Sequence, residues 1–126
     1  DYRCGYCKRV FPSVMKLLKE DGNIKYVVKE FPILGPESVY ASKAALAAHE
    51  QGKYSEMHIA LMSLPGSLSN TKVLSVAKSI GLDIPKLKAD IDGETITLTG
   101  TVGTNGQVTW VCGGSIPSKF RASSCK

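Results

Sequence analysis

Two cysteines separated by two residues stand at the start of a helical pattern and constrain this chain more than any other feature. After Cys4 and Cys7, apolar residues recur along one helical stripe, and Asp21-Gly22-Asn23 ends the pattern. The unpaired N–H groups and the dipole of a helix N-terminus stabilise a thiolate, so the pKa of Cys4 is expected to be depressed. Lys8 and Arg9, one turn further on, act in the same direction. The spacing therefore predicts a dithiol that closes a small disulfide and exchanges it with other thiols.

The same two cysteines would also suit half of a zinc site, which needs a second close pair of ligands. The two histidines, His49 and His58, and the two remaining cysteines, Cys112 and Cys125, do not have the spacing of such a pair. We therefore favour redox chemistry over metal binding. The reactive disulfide of the first pair is then the only redox group that the chain needs, and we predict no metal and no other cofactor. The two histidines are interpreted as surface or core residues, because no serine or metal motif accompanies them.

The bulk composition fits one compact unit. The chain has 126 residues, of which 43% are hydrophobic, and a net charge of +5 from 16 Lys and Arg against 11 Asp and Glu. These charges are spread without a long basic run, which is typical of solvated helix faces, so we predict no nucleic-acid binding. No stretch approaches the ~20 apolar residues that cross a bilayer, and no leader peptide opens the sequence, so we expect a soluble chain.

Helical patterns dominate the chain up to residue 92. A short β-branched and aromatic run at residues 24–31 predicts one strand, and four helices are predicted at residues 37–50, 54–62, 70–80 and 84–91. From Asp92-Gly93 the composition changes to Thr-rich residues that alternate with the period of a strand. Asn105-Gly106 is a strong hairpin signal, and it precedes a returning strand that ends at Cys112. The predicted fold class is α+β, with one unit at residues 1–92 and a second at residues 93–126.

Residues 1–92 resemble the DsbA-like branch of the thioredoxin superfamily, the bacterial periplasmic thiol:disulfide oxidoreductases. The resembling stretches are residues 1–9 (DYRCGYCKR), 28–35 (VKEFPILG), 44–47 (AALA), 51–54 (QGKY) and 80–83 (IGLD). The resemblance implies a partial thioredoxin-like fold with an inserted helical cap. It also implies that Cys4 is the nucleophile and that Cys7 resolves the mixed disulfide. Unfolded or secreted proteins would be the substrates, a membrane-bound redox protein would be a partner, and the location would be the periplasm or the outside of a bacterial cell.

The substrate-binding residues expected from this resemblance are Gly5 and Tyr6, between the cysteines, and Pro117. The strand that precedes the cysteines in that family is almost wholly absent, which suggests a fragment of a longer chain. The family's cis-proline loop is not found after the helical cap, and Ile116-Pro117 is the only late candidate for it. Glu30 is interpreted as a solvated strand residue, in preference to a buried carboxylate that helps to move a proton to Cys7.

The second cysteine pair suggests a structural role. Cys112 and Cys125 enclose a loop of a size that a disulfide closes well, worth on the order of 3 kcal/mol. Residues 94–126 resemble the C-terminal end of type IV pilins, where the last strands lead into a disulfide-closed loop. The chain would then be a chimera, or else a DsbA-like protein whose last third has diverged. The alternative function is a pilin-like structural or adhesive surface module without catalysis, with pilus subunits as partners only in that case.

Overall fold

The computed structural model describes residues 1–93, 97–102 and 108–115. In order along the chain, these residues form α1 (Gly5–Asp21), α2 (Pro36–His49), α3 (Tyr54–Ser63), α4 (Asn70–Ser79), α5 (Ile84–Gly93), β1 (Thr97–Val102) and β2 (Val108–Gly113). All five helices lie where the sequence patterns predicted them, with ends that differ by a few residues at most. Among the described residues, no helix combines the length and the apolar character needed to cross a membrane.

Helix α1 begins immediately after Cys4 and ends at the predicted Asp-Gly boundary. Cys4 is its N-cap, in an extended conformation with φ −68° and ψ 103°. Gly22 follows the last turn with φ 68°, a left-handed conformation in which glycine carries no steric penalty. Of all the side chains of α1, only Phe11 is buried. The helix therefore lies on the surface of the protein and places both cysteines at one of its ends.

Helix α2 is the centre of the hydrophobic core. It packs against α3, α4 and α5. Its alanines are completely inaccessible to solvent: Ala41, Ala44, Ala45, Ala47 and Ala48. Because an alanine side chain is a single methyl group, three helices approach the backbone of α2 closely, and larger side chains such as Met57, Leu61 and Leu87 fill the remaining space. Helices α2 to α5 form a helical body in the part of the chain where the family resemblance implied a helical cap, and the assignment as a cap stays a prediction.

The segment at residues 24–31 differs from its prediction as a regular strand. Within the described part of the chain, Glu30 is its only position with bridge pairing, and Ile24, Tyr26 and Val27 are exposed. An extended run of β-branched residues becomes a strand only where neighbouring chain supplies a hydrogen-bonded ladder, which propensity alone does not provide. After Pro32, the chain turns at Gly35 into α2, with Pro36 at the first helical position.

Strands β1 and β2 pair antiparallel, with Thr97 opposite Gly113 and Val102 opposite Val108. The connecting residues 103–107, which include the predicted Asn105-Gly106 turn, lie outside the described residues. Residues 116–126 also lie outside them, and this includes Pro117 and Cys125. The predicted hairpin turn, the C-terminal disulfide loop and the cis-proline assignment therefore stay predictions.

Candidate active site

The first cysteine pair forms a disulfide at the N-terminus of α1. The sulfur atoms of Cys4 and Cys7 are bonded at 2.17 Å, and their Cα atoms lie 5.2 Å apart. The backbone N–H of Cys7 donates a hydrogen bond to Sγ of Cys4 at 3.2 Å, so the sulfur occupies the capping position of the helix. A side-chain acceptor at this position satisfies one of the unpaired N–H groups of the first turn. When the disulfide is reduced, the same position favours negative charge on the sulfur of Cys4.

The residues around the disulfide leave it open to solvent. Cys7 is exposed, whereas Cys4 is partly buried. Tyr6 is 78% exposed, and a side chain at Gly5 would meet no atom within 4 Å. The guanidinium carbon of Arg9 lies 5.2 Å from the centre of the Tyr6 ring, within the range of a cation–π contact. Gly5 and Tyr6 therefore lie exposed beside the dithiol, and their role in binding substrate stays a prediction.

Lys8 fixes α1 to the end of α3. Its ammonium group donates a hydrogen bond to the carbonyl of Leu64 at 2.8 Å. Partial burial lowers the pKa of Lys8, and the positive charge of Lys72 lowers it further. Lys72, on α4, therefore lies close to α1. No sequence pattern indicated this proximity.

A carboxylate fixes the segment before the cysteines to the loop before α2. The side chain of Asp1 accepts hydrogen bonds from the backbone N–H groups of Ile33 and Leu34, at 2.8 and 2.9 Å, and from the hydroxyl of Ser38 at 2.8 Å. Arg3 adds a hydrogen bond to the carbonyl of Leu34 and an ion pair with Glu37 at 3.1 Å. These contacts hold the start of α1 in a defined position relative to the start of α2.

A buried polar network lies behind the dithiol helix. Tyr2 and Tyr54 both donate hydrogen bonds to Oε1 of Glu30, at 2.7 and 2.6 Å. The hydroxyl oxygen of Tyr2 also lies 3.0 Å from Nδ1 of His58, and the rings of Tyr54 and His58 are stacked. Burial raises the pKa of Glu30 and lowers the pKa of His58 to about 4. Burial, together with the nearby carboxylate of Glu30, raises the pKa values of both tyrosines.

This network corrects one interpretation from the sequence. Glu30 is only 6% exposed, so its assignment as a solvated strand residue is wrong. Its partners are 28 and 24 positions away along the chain, and no local pattern links them. His58 is a core histidine, as expected, whereas His49 is half-buried at the end of α2. The described residues contain no cluster of three His, Cys, Asp or Glu side chains that could hold a metal ion.

Two solved structures resemble this chain closely. One is a crystal structure of a thioredoxin-like oxidoreductase from Silicibacter pomeroyi, with a TM-score of 0.70 and 44% identity, which matches 73% of this chain and 53% of that protein. The other is a crystal structure of the thiol-disulfide exchange protein alpha-DsbA2 from Wolbachia pipientis, with a TM-score of 0.66 and 38% identity over 72% of this chain and 50% of that protein. The chain thus spans about half the length of either protein.

Curated relatives include parts of much longer proteins. The chain is 34% identical over 90 residues to Na(+)/H(+) antiporter NhaA 1 of Salinispora arenicola, which covers 70% of this chain and 14% of the antiporter. It is 31% identical over 94 residues to Na(+)/H(+) antiporter NhaA 1 of a Mycobacterium species, over 72% of this chain and 15% of that protein. The family model for the DSBA-like thioredoxin domain matches residues 1–100, and this chain therefore belongs to the DSBA-like thioredoxin domain family.

Proposed function

We propose that this chain is a thiol:disulfide oxidoreductase in which Cys4 is the exchanging sulfur and Cys7 is the resolving one. The observation that carries the proposal is the hydrogen bond from the N–H of Cys7 to Sγ of Cys4 at the start of α1. It supports the choice of Cys4, because a thiolate at the helix cap is stabilised by the unpaired N–H groups of the first turn. Family membership and the oxidoreductases among the structural relatives support the same reaction class.

The exchange proceeds in two balanced steps. A substrate thiolate attacks Sγ of Cys4, a mixed disulfide forms, and the Cys4–Cys7 bond breaks with the electron pair leaving on Cys7. A second substrate thiolate then attacks the substrate sulfur of the mixed disulfide and releases Cys4 as a thiolate. The substrate dithiol is oxidised to a disulfide and the protein is reduced. The reverse sequence reduces a substrate disulfide, and the relative reduction potentials set the direction.

The exposed side chains of Cys7 and Tyr6 provide the approach for a protein substrate, and the open space at Gly5 lets the substrate backbone come close. We propose secreted or unfolded proteins as substrates, a membrane-bound redox protein as the partner that renews the disulfide, and the periplasm or cell exterior as the location. Pro117 stays our candidate for the proline that faces the dithiol. The reaction needs no cofactor besides the disulfide.

The second candidate function is a pilin-like structural or adhesive module. The observation that favours keeping it is that the family match ends at residue 100, so most of the pilin-like residues 94–126 lie beyond it. In that case the catalytic pair is inert and only a disulfide between Cys112 and Cys125 matters.

Alkylation across pH after mild reduction in glutathione buffer, followed by mass spectrometry, separates the two functions. An oxidoreductase is expected to show a Cys4 pKa well below the value of about 8.5 for a free cysteine, with the Cys112–Cys125 bridge still closed. The Cys7→Ser variant is expected to accumulate a mixed disulfide on Cys4 with a substrate peptide, and the matched Cys4→Ser variant is not. An ordinary thiol pKa for Cys4, with no trapped adduct in either variant, would leave only the structural module.

A further inference from the structure

A groove runs beside the reactive disulfide, between the first turns of α1 and the loop that follows α3. Its volume is about 530 Å³. Lys8, Arg9 and Pro12 form the α1 side, and Ser63, Leu64 and Pro65 form the other. Because Gly5 also lines it, the groove opens next to the cysteines. A peptide bound here would continue directly to the disulfide.

Three cations line the groove, of which Arg3 is paired with Glu37 whereas Lys8 and Arg9 have no acidic partner among the described residues. Within residues 1–93, the three ion pairs are Arg3–Glu37, Lys16–Glu20 and Lys86–Asp90, so no carboxylate of these residues lies within ion-pair distance of Lys8, Arg9 or Lys72. Lys72 lies beside the end of the groove that Gly66 forms: its ammonium group is 3.7 Å from the position that a Cβ of Gly66 would occupy and donates a hydrogen bond to the carbonyl of Ser67 at 2.8 Å.

The acidic groups at the near end of the groove are already engaged. Glu37 is paired with Arg3, and the carboxylate of Asp1 accepts hydrogen bonds from Ile33, Leu34 and Ser38. The positive charges of Lys8, Arg9 and Lys72 are therefore not neutralised by a described neighbour. Like charges placed together without partners raise the local positive potential, and a concave surface concentrates it.

We propose that this groove binds an acidic stretch next to the reactive cysteine of a protein substrate. This inference rests on the proposed thiol:disulfide exchange and adds a substrate preference to it. Aspartate or glutamate side chains of the substrate face Arg9, Lys8 and Lys72, while its apolar side chains contact Pro12 and Pro65. The cations also attract such substrates before contact, which raises the rate of encounter.

The test compares three peptides that carry one cysteine flanked by Glu, Gln or Lys residues, reacted with the oxidised full chain. Each rate constant for mixed-disulfide formation is divided by the measured thiolate fraction of that peptide, because flanking charges also change its thiol pKa. We expect the Glu peptide to react roughly tenfold faster than the Lys peptide at low ionic strength, and this ratio to shrink as salt is added. Equal corrected rates for all three peptides would overturn the inference.

Variants locate the preference in the groove. Arg9→Gln and Lys72→Gln are expected to lower the Glu-to-Lys rate ratio by about threefold or more, with the largest loss in the double variant. Lys16→Gln is the matched control, since Lys16 lies on α1 but is exposed and paired with Glu20. An equal loss in Lys16→Gln would mean that only the net charge matters, and this would also overturn the inference.

A binding measurement separates this inference from the exchange reaction. Peptides with Ser in place of Cys cannot react, and their binding is followed by amide chemical shifts. Shifts at Ser63, Leu64 and Gly66 with the Glu peptide alone support the groove as an acidic-peptide site, even if the protein exchanges no disulfide at all. The inference is rejected if the Glu and Lys peptides cause the same shifts.

Discussion

The hydroxyl of Tyr2, two residues before the reactive dithiol, donates a hydrogen bond of 2.7 Å to the buried carboxyl group of Glu30. The same oxygen of Glu30 accepts a second hydrogen bond from Tyr54 at the start of α3. One side chain thereby joins the segment before α1, the extended segment before α2 and the helical body. Because Tyr2 and Glu30 are buried and Tyr54 is partly buried, these groups depend on one another for hydrogen bonds.

Glu30→Ala is expected to lower the free energy of unfolding by about 2–4 kcal/mol, because it removes the acceptor of the hydrogen bonds from the buried Tyr2 and the partly buried Tyr54. Urea denaturation measures the change. Glu20→Ala is the control, since Glu20 is exposed on α1 and, within the described part of the chain, pairs only with Lys16 at 3.7 Å. That change is expected to stay within about 0.5 kcal/mol. Equal effects of the two substitutions would show that the network around Glu30 does not stabilise the fold.

His58 is expected to make stability rise with pH. Burial lowers its pKa from the ordinary 6.5 to about 4, so between these values the unfolded chain binds more protons at this site than the folded protein does. The free energy of unfolding then increases from about pH 4 to about pH 6.5 and levels off above that. The measurement is urea denaturation of the wild type and His58→Gln from pH 4 to 7.5. A difference between the two proteins that does not change with pH would contradict this expectation.

Glu30 is expected to make the free energy of unfolding fall as pH rises, which is opposite to the effect of His58. Burial raises the pKa of Glu30 above its ordinary value of 4.5, so the folded protein keeps a proton that the unfolded chain releases. The contribution of this group to stability is fully present below about pH 4.5 and is lost as the pH rises through the folded-state pKa. In the same denaturation series, the wild type should therefore lose stability relative to Glu30→Gln as pH increases. A gain in the same range would show that the carboxyl group is already ionised in the folded state.

Gly35→Ala is expected to destabilise the protein by about 1–3 kcal/mol. Gly35 has φ 104° and ψ −177°, a conformation that only glycine adopts readily, and an added Cβ would lie 2.9 Å from Nη1 of Arg3. Thermal unfolding with a matched Gly93→Ala control measures the effect. Gly93 has no positive φ and no atom within 4 Å of the added methyl group, so its substitution should be close to neutral. Similar losses in both proteins would contradict the assigned strain.

The local parts of this fold follow from the sequence, and the long-range parts do not. The cysteine spacing and the Asp21-Gly22 boundary are short-range signals, and the structure places the two ends of α1 at these positions. The burial of Glu30 depends on tyrosines far away in the chain, which periodicity cannot reveal. The regular strand expected at residues 24–31 depended likewise on neighbours that its own composition does not specify.

The sparse attachment of α1 has a consequence for motion. Among the described residues, α1 buries one side chain, Phe11, packs Met15 partly against the core and donates a hydrogen bond from Lys8 to Leu64, so its detachment breaks few contacts. Helix α2, with its completely inaccessible alanines, can open only when the core itself opens. Amide hydrogens of α1 should therefore exchange with solvent at a much lower free-energy cost than those of α2, as an independent unit of opening. The reactive disulfide thus lies on a helix that can detach and change position when a partner binds, while the helical body stays folded.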